Sequence, residues 1–93
     1  MYILSINTML GGKPLHEKSE LYETEGNAIM MMKTHIDLAV RDLLAKEPWE
    51  SWDTEEARKA GFDIDINMNG GKIVDIATPL ENYTYYYIDE VNI

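Results

Sequence analysis

From Thr24 to Pro48 the apolar residues Ile29, Met32, Ile36, Ala39, Val40 and Leu43 recur at steps of three and four, the spacing that places them on one stripe of a 3.6-residue helix. An amphipathic helix of about 20 residues cannot hide an apolar face alone. A partner layer must come from the rest of the chain. The alternating segments on either side supply it, so the pattern predicts a helix laid on a sheet. Thr24 or Asn27 can cap the helix start, Glu25 sets a negative charge against its positive end, and Pro48 cannot continue it. Met30, Met31, Leu38 and Leu44 lie off the main stripe. The apolar surface is therefore wider than one seam, which predicts a deeply buried helix; the alternative is a helix with the sheet on one side and a loop or second subunit on the other.

Tyr2 to Thr8 reads as a first strand, with Tyr2, Leu4 and Ile6 on one face. The turn Gly11-Gly12-Lys13-Pro14 sends the chain back, and Leu15 to Thr24, with Leu21 and Tyr22 as its apolar content, is the antiparallel partner. After the helix, Trp49 and Trp52 cover the open end of the core or form an exposed aromatic anchor. Asp53 and Glu56 make a capping-box-like pair for a short second helix that Gly61 ends. Phe62 to Met68 alternates cleanly, with Phe62, Ile64, Ile66 and Met68 on one side and Asp63, Asp65 and Asn67 on the other. Asn69-Gly70-Gly71 is the expected hairpin turn, and Lys72 to Thr78 the return strand. Pro79 to Asn82 turns again. Tyr83 to Ile93 is the last strand, with Tyr83, Tyr85 and Tyr87 on one face and Thr84, Tyr86 and Ile88 on the other. The expected fold class is α+β: one domain over residues 1–93, with an antiparallel sheet of about five strands in the order β-β-α-α-β-β-β and one long amphipathic helix packed on one face.

A chain of 93 residues carries one modest core. No apolar run nears the roughly 18 residues of a membrane span. The opening MYILSINTMLGG has neither the basic start nor the long apolar core of a signal peptide. A cytoplasmic setting is expected, the host cytoplasm if the chain is phage-encoded. The lack of cysteine excludes disulfides, thiol catalysis and cysteine-based zinc or iron–sulfur sites. The 17 acidic residues against 8 basic give a net charge of −9, a surface that repels nucleic acid and anionic membranes and attracts cations or basic proteins. Solubility alone is the plainer account of that charge.

Catalysis has little support in the residue pattern, and none is expected. His16 and His35 occur in no metal-ligand spacing. Four residues either side of His35 stand Met31 and Ala39, so no carboxylate on its own helix face orients it as a base. Ser5, Ser19 and Ser51 have no nucleophile-elbow context. Gly11-Gly12-Lys13 and Gly70-Gly71-Lys72 fit hairpins rather than a phosphate loop. Asp63, Asp65 and Asn67 imitate a calcium loop in letters only, since side chains on one strand face stand about 7 Å apart. No cofactor and no metal are expected.

What remains is surface. Glu47, Glu50, Asp53, Glu55, Glu56, Asp63 and Asp65, with Trp49 and Trp52 among them, can form an acidic band. Carboxylates spaced along a rigid surface can imitate duplex phosphates and occupy a protein's nucleic-acid groove. The expectation is a non-catalytic acidic inhibitor or adaptor that docks on a basic, nucleic-acid-binding protein, of the kind found among phage and mobile-element anti-defence (anti-CRISPR-like) products. The alternative is a small-molecule-binding homo-oligomer, such as a homodimer, whose pocket between subunits is lined by Tyr83, Tyr85 and Tyr87 and the methionine-rich helix face. A purely structural assembly partner would use the same apolar surface.

Overall fold

The computed structural model describes residues 1–44, 54–78 and 82–92. Strands β1 (Tyr2–Leu10) and β2 (Lys13–Tyr22) form a hairpin; helices α1 (Glu25–Leu44) and α2 (Thr54–Lys59) follow; β3 (Phe62–Asn67), β4 (Gly70–Asp75) and β5 (Asn82–Glu90) complete the chain. The strands make one five-stranded sheet in the order β2-β1-β5-β4-β3. Every neighbouring pair is antiparallel, as expected for this α+β fold. Because β1 and β5 are adjacent, the two halves of the sheet join only when the last strand pairs with the first.

Glycine decides both hairpins, in different ways. Gly11 and Gly12 have φ values of 60° and 77°, the left-handed pair that a tight two-residue hairpin needs. The Gly11 amide also donates to Asn82 Oδ1 at 2.8 Å, which pins this turn to the start of β5. In the second hairpin Asn67 pairs with Gly70, so the turn is Met68-Asn69 rather than Asn69-Gly70-Gly71. Gly70 and Gly71 belong to the strand because neighbours press on them. A Cβ at Gly70 would lie 2.6 Å from the Tyr86 carbonyl oxygen, and one at Gly71 would lie 3.1 Å from Ile36 Cδ1. Met68, expected to point inward, is exposed in the turn.

The Asn27 amide donates to Thr24 Oγ1 at 3.2 Å, so Thr24 is the cap of α1. Ala28, Met32, Ile36 and Val40 are fully buried on the stripe that faces the sheet. Met32, Ile36 and Val40 meet Leu4, Ile6, Ala57, Ile64, Ile73 and Tyr86 in one core, where each large apolar side chain contributes about 1.5–3 kcal/mol by leaving water. Leu43, expected on the same stripe, is 41% exposed, because it lies in the last turn, where it reaches only a cavity at the end of the sheet. Met30 and Leu38 are more than half exposed. The helix is therefore not deeply buried. The sheet supports it on one side, and Met30 and Leu38 face solvent on the other, while Asp37 beside them is buried.

α2 packs on the same sheet face through fully buried Ala57, and Gly61, with φ of 97°, ends it. The Gly61 carbonyl then accepts from the Ile76 and Ala77 amides at 2.8 and 3.0 Å, tying the end of α2 to the end of β4. The expected helix stop at Pro48, the Asp53 cap and the placement of Trp49 and Trp52 lie outside the described residues.

Candidate functional site

Alternation along each strand sends one set of side chains to the helices and the other to the opposite side. Register identifies the second set. Tyr83 stands between Met9 and Val74, Tyr85 between Asn7 and Lys72, and Tyr87 between Ser5 and Gly70. Val74 and Lys72 in turn face Asp63 and Asp65 on β3, and Gly70 faces Asn67. On the other flank Asn7 faces Glu17, Ser5 faces Ser19, and Ile3 lies between Leu21 and Asp89. All these residues share the face that α1 does not cover, since Leu4, Ile6, Ile64, Ile73 and Tyr86 occupy the other parity.

The tyrosines form a ladder down β5. The rings of Tyr83 and Tyr85 are 5.8 Å apart and tilted by 35°; those of Tyr85 and Tyr87 are 5.8 Å apart and nearly parallel at 13°. Lys72 Nζ sits 4.3 Å from the Tyr83 ring centroid, a cation held against the negative face of the ring. Tyr87, whose neighbour Gly70 has no side chain, is 39% exposed. A depression of about 300 Å³ over β4 is lined by Asp65, Asn67, Asn69, Gly70, Gly71, Lys72 and Tyr86. A second hollow, of about 250 Å³ and more apolar, lies at the end of the sheet against Met9, Leu43, Phe62, Ile73 and Tyr83.

Of the candidate acidic residues, Asp63 and Asp65 lie on this same open face. The structure therefore brings together two sets that the sequence offered as rival sites, the carboxylates of β3 and the tyrosines of β5. Glu55 and half-buried Glu56 sit on α2, whose packing through Ala57 places it on the helix side. Arg58 of α2 reaches around to Asp63 at 3.8 Å; both side chains are well exposed, so the pair is weak. Glu47, Trp49, Glu50, Trp52 and Asp53 lie outside the described residues. Glu17 and Asp89 were not among the candidates; only the strand registers put them on this face.

The other polar cluster is on the helix side of β2. Glu20 Oε1 accepts from the Tyr22 hydroxyl at 2.8 Å and contacts His35 Nε2 at 2.8 Å, while Lys18 Nζ lies 3.3 Å from Oε2. Partial burial opposes the Glu20 charge, but the hydrogen bonds from His35, Tyr22 and Lys18 prevail and hold its carboxyl below the usual range. Burial, reinforced by the Glu20 charge, pushes Tyr22 up to about 12. His35 thus has a carboxylate partner after all, from another element. Three donors converging on one carboxylate make a clasp between the outer strand and the helix.

Among the described residues no helix is long and apolar enough to cross a membrane, and no group of three or more His, Cys, Asp or Glu could hold a metal ion. Comparisons with protein-family models, with curated proteins and with solved structures find no match to this chain.

Proposed function

We propose that the protein works by docking rather than by chemistry, as an acidic inhibitor or adaptor whose open sheet face covers a basic, nucleic-acid-binding surface of another protein. The observation that carries this reading is the composition of that face: a tyrosine ladder with Asp63, Asp65, Glu17 and Asp89 around it, against Lys72. Tyrosine supplies large contact area at low conformational cost, and carboxylates matched to a basic partner set its orientation and speed its encounter. The net charge of −9 extends the same attraction beyond contact distance.

The test uses a basic protein recovered on the immobilised chain from a bacterial lysate and then purified. Its complex should dissociate as salt rises, and duplex DNA should compete with this protein for it. Asp63→Lys with Asp65→Lys should abolish binding while the circular dichroism of the fold is kept. Binding that ignores salt, DNA and the double reversal sinks the proposal.

A second reading, a homo-oligomer holding a small molecule between subunits, draws on the hollow lined by Met9, Phe62 and Tyr83. It requires at least a dimer at micromolar concentration, so a monomer in light scattering removes it.

A further inference from the structure

We infer that the free edge of β2 pairs antiparallel with the same edge of a second copy of this chain, about a twofold axis at Ser19. Among the described residues β2 ends the sheet, with β1 on one side and no strand on the other. One hydrogen bond fixes which of its backbone groups point outward. The Val91 amide donates to the Met1 carbonyl at 2.9 Å, so the odd-numbered residues of β1 turn their amides and carbonyls toward β5 and the even-numbered ones toward β2. Leu4 and Ile6 stand opposite Glu20 and Lys18, which therefore bond inward. Glu17, Ser19 and Leu21, all exposed, direct theirs outward. Such a row of donors and acceptors is a template for another strand.

Charge selects a second copy as that strand, in one register. A twofold axis perpendicular to the sheet keeps both open faces on one side, so residues of like parity meet. With Ser19 opposite Ser19, Lys18 meets Glu20 of the second copy, and Glu20 meets its Lys18. These are the pairs without mutual backbone bonds, whose side chains stand closest. Moving the axis by one residue sets Lys18 against Lys18 or Glu20 against Glu20. Lys18 is about half exposed and lies 3.3 Å from its own Glu20 Oε2, so in the pair it bridges two carboxylates. The net charge of −9 opposes association, and the other edge of the sheet accordingly excludes it. Asp63, Asp65 and Asn67 share one face of β3, so the same operation there never brings a carboxylate to a cation. On β2, Pro14 and the bulge at Leu15 guard only the turn end. The pairing is independent of the docking reading: it leaves the open face uncovered, and no β2 residue lines the hollow at Met9 and Tyr83.

The lack of native cysteine makes the test direct. Under mild oxidation Ser19→Cys should give a disulfide-linked dimer several-fold faster than Lys13→Cys, because the two copies of residue 13 lie at opposite ends of the paired strands. Sedimentation equilibrium of the unaltered chain should show a dimer at high-micromolar concentration. Lys18→Glu, which sets like charges opposite one another, should weaken it about tenfold. Ser19→Pro removes an outward N–H and none that bonds β1, so it should leave a folded monomer by circular dichroism. If Ser19→Pro unfolds, Lys18→Glu at its exposed position still decides. A monomer up to millimolar concentration, a dimer indifferent to Lys18→Glu, or equal linking at positions 19 and 13 overturns the pairing.

Discussion

His35 Nε2 lies 2.8 Å from Glu20 Oε1, a side-chain contact that ties α1 to the edge strand β2. The Glu20 carboxyl is held below its ordinary 4.5. A lowered acid contributes stability that is present above the unfolded value and is lost as pH falls through the folded one. Glu20→Gln should therefore cost about 1–2 kcal/mol at neutral pH and show a shallower loss of stability on acidification. Urea unfolding of both proteins at neutral pH and again well below 4.5 measures this. An identical acid limb in the two proteins would show that the clasp does not respond to pH.

Tyr86 answers at the other end of the scale. Burial pushes its hydroxyl up to about 12 from the usual 10. The fold therefore holds the neutral phenol, and its contribution is complete below 10 and lost as pH rises through about 12. Tyr86→Phe should change stability by less than about 1 kcal/mol at neutral pH and lessen the alkaline loss. Denaturation at neutral pH and above 10, read beside the ultraviolet ionisation of tyrosine, decides it.

Gly71 and Ile36 should be energetically coupled. A Cβ on Gly71 would stand 3.1 Å from Ile36 Cδ1, 3.3 Å from the Asp65 carbonyl oxygen and 3.4 Å from Ile66 Cγ1. Gly71→Ala should cost about 1–3 kcal/mol by crowding. Ile36→Val removes the methyl group that is closest, so Gly71→Ala should cost less in that background. A double-mutant cycle in urea gives the coupling directly, and strict additivity would mean that the strain falls on the Asp65 backbone instead.

Much of the fold was legible because its signals are local. The stripe of Met32, Ile36 and Val40 and the alternation of Phe62, Ile64 and Ile66 each lie within one element. The Glu20 clasp was not legible, and the reason is a single irregularity. At the Gly11-Gly12 turn Leu10 pairs with Lys13 and Met9 with Pro14, but beyond a register shift Thr8 pairs with His16 and Leu4 with Glu20. The residue skipped is Leu15, exposed at 63%. Without that bulge Leu4 would face Ser19, and the parity of the rest of β2 would be reversed. The bulge turns Glu20 and Tyr22 toward the helix and Leu21 toward the open face, where it is exposed. The second hairpin misled for a related reason. Asn69-Gly70-Gly71 is good turn chemistry, but Gly71 is needed under Ile36 and Gly70 against Tyr86, contacts that no local pattern contains. Pairing of the Asp63 and Tyr83 rows likewise depends on a strand order that joins segments about 20 residues apart through β4.

The described fold is thin, with a shortest extent of 17 Å, and β5 has one side against the helix layer and the other open. Residues 84, 86 and 88 of that strand serve the interior, while 83, 85 and 87 look outward. The two series can therefore change under separate selection. Replacements at the inward positions act on the packing under α1, those at the outward positions on the other face, where Ser5 and Asn7 are buried beside Tyr87 and Tyr85. A lineage that must keep pace with a changing counterpart could rewrite Tyr83, Tyr85 and Tyr87 repeatedly around an interior that stays as it is.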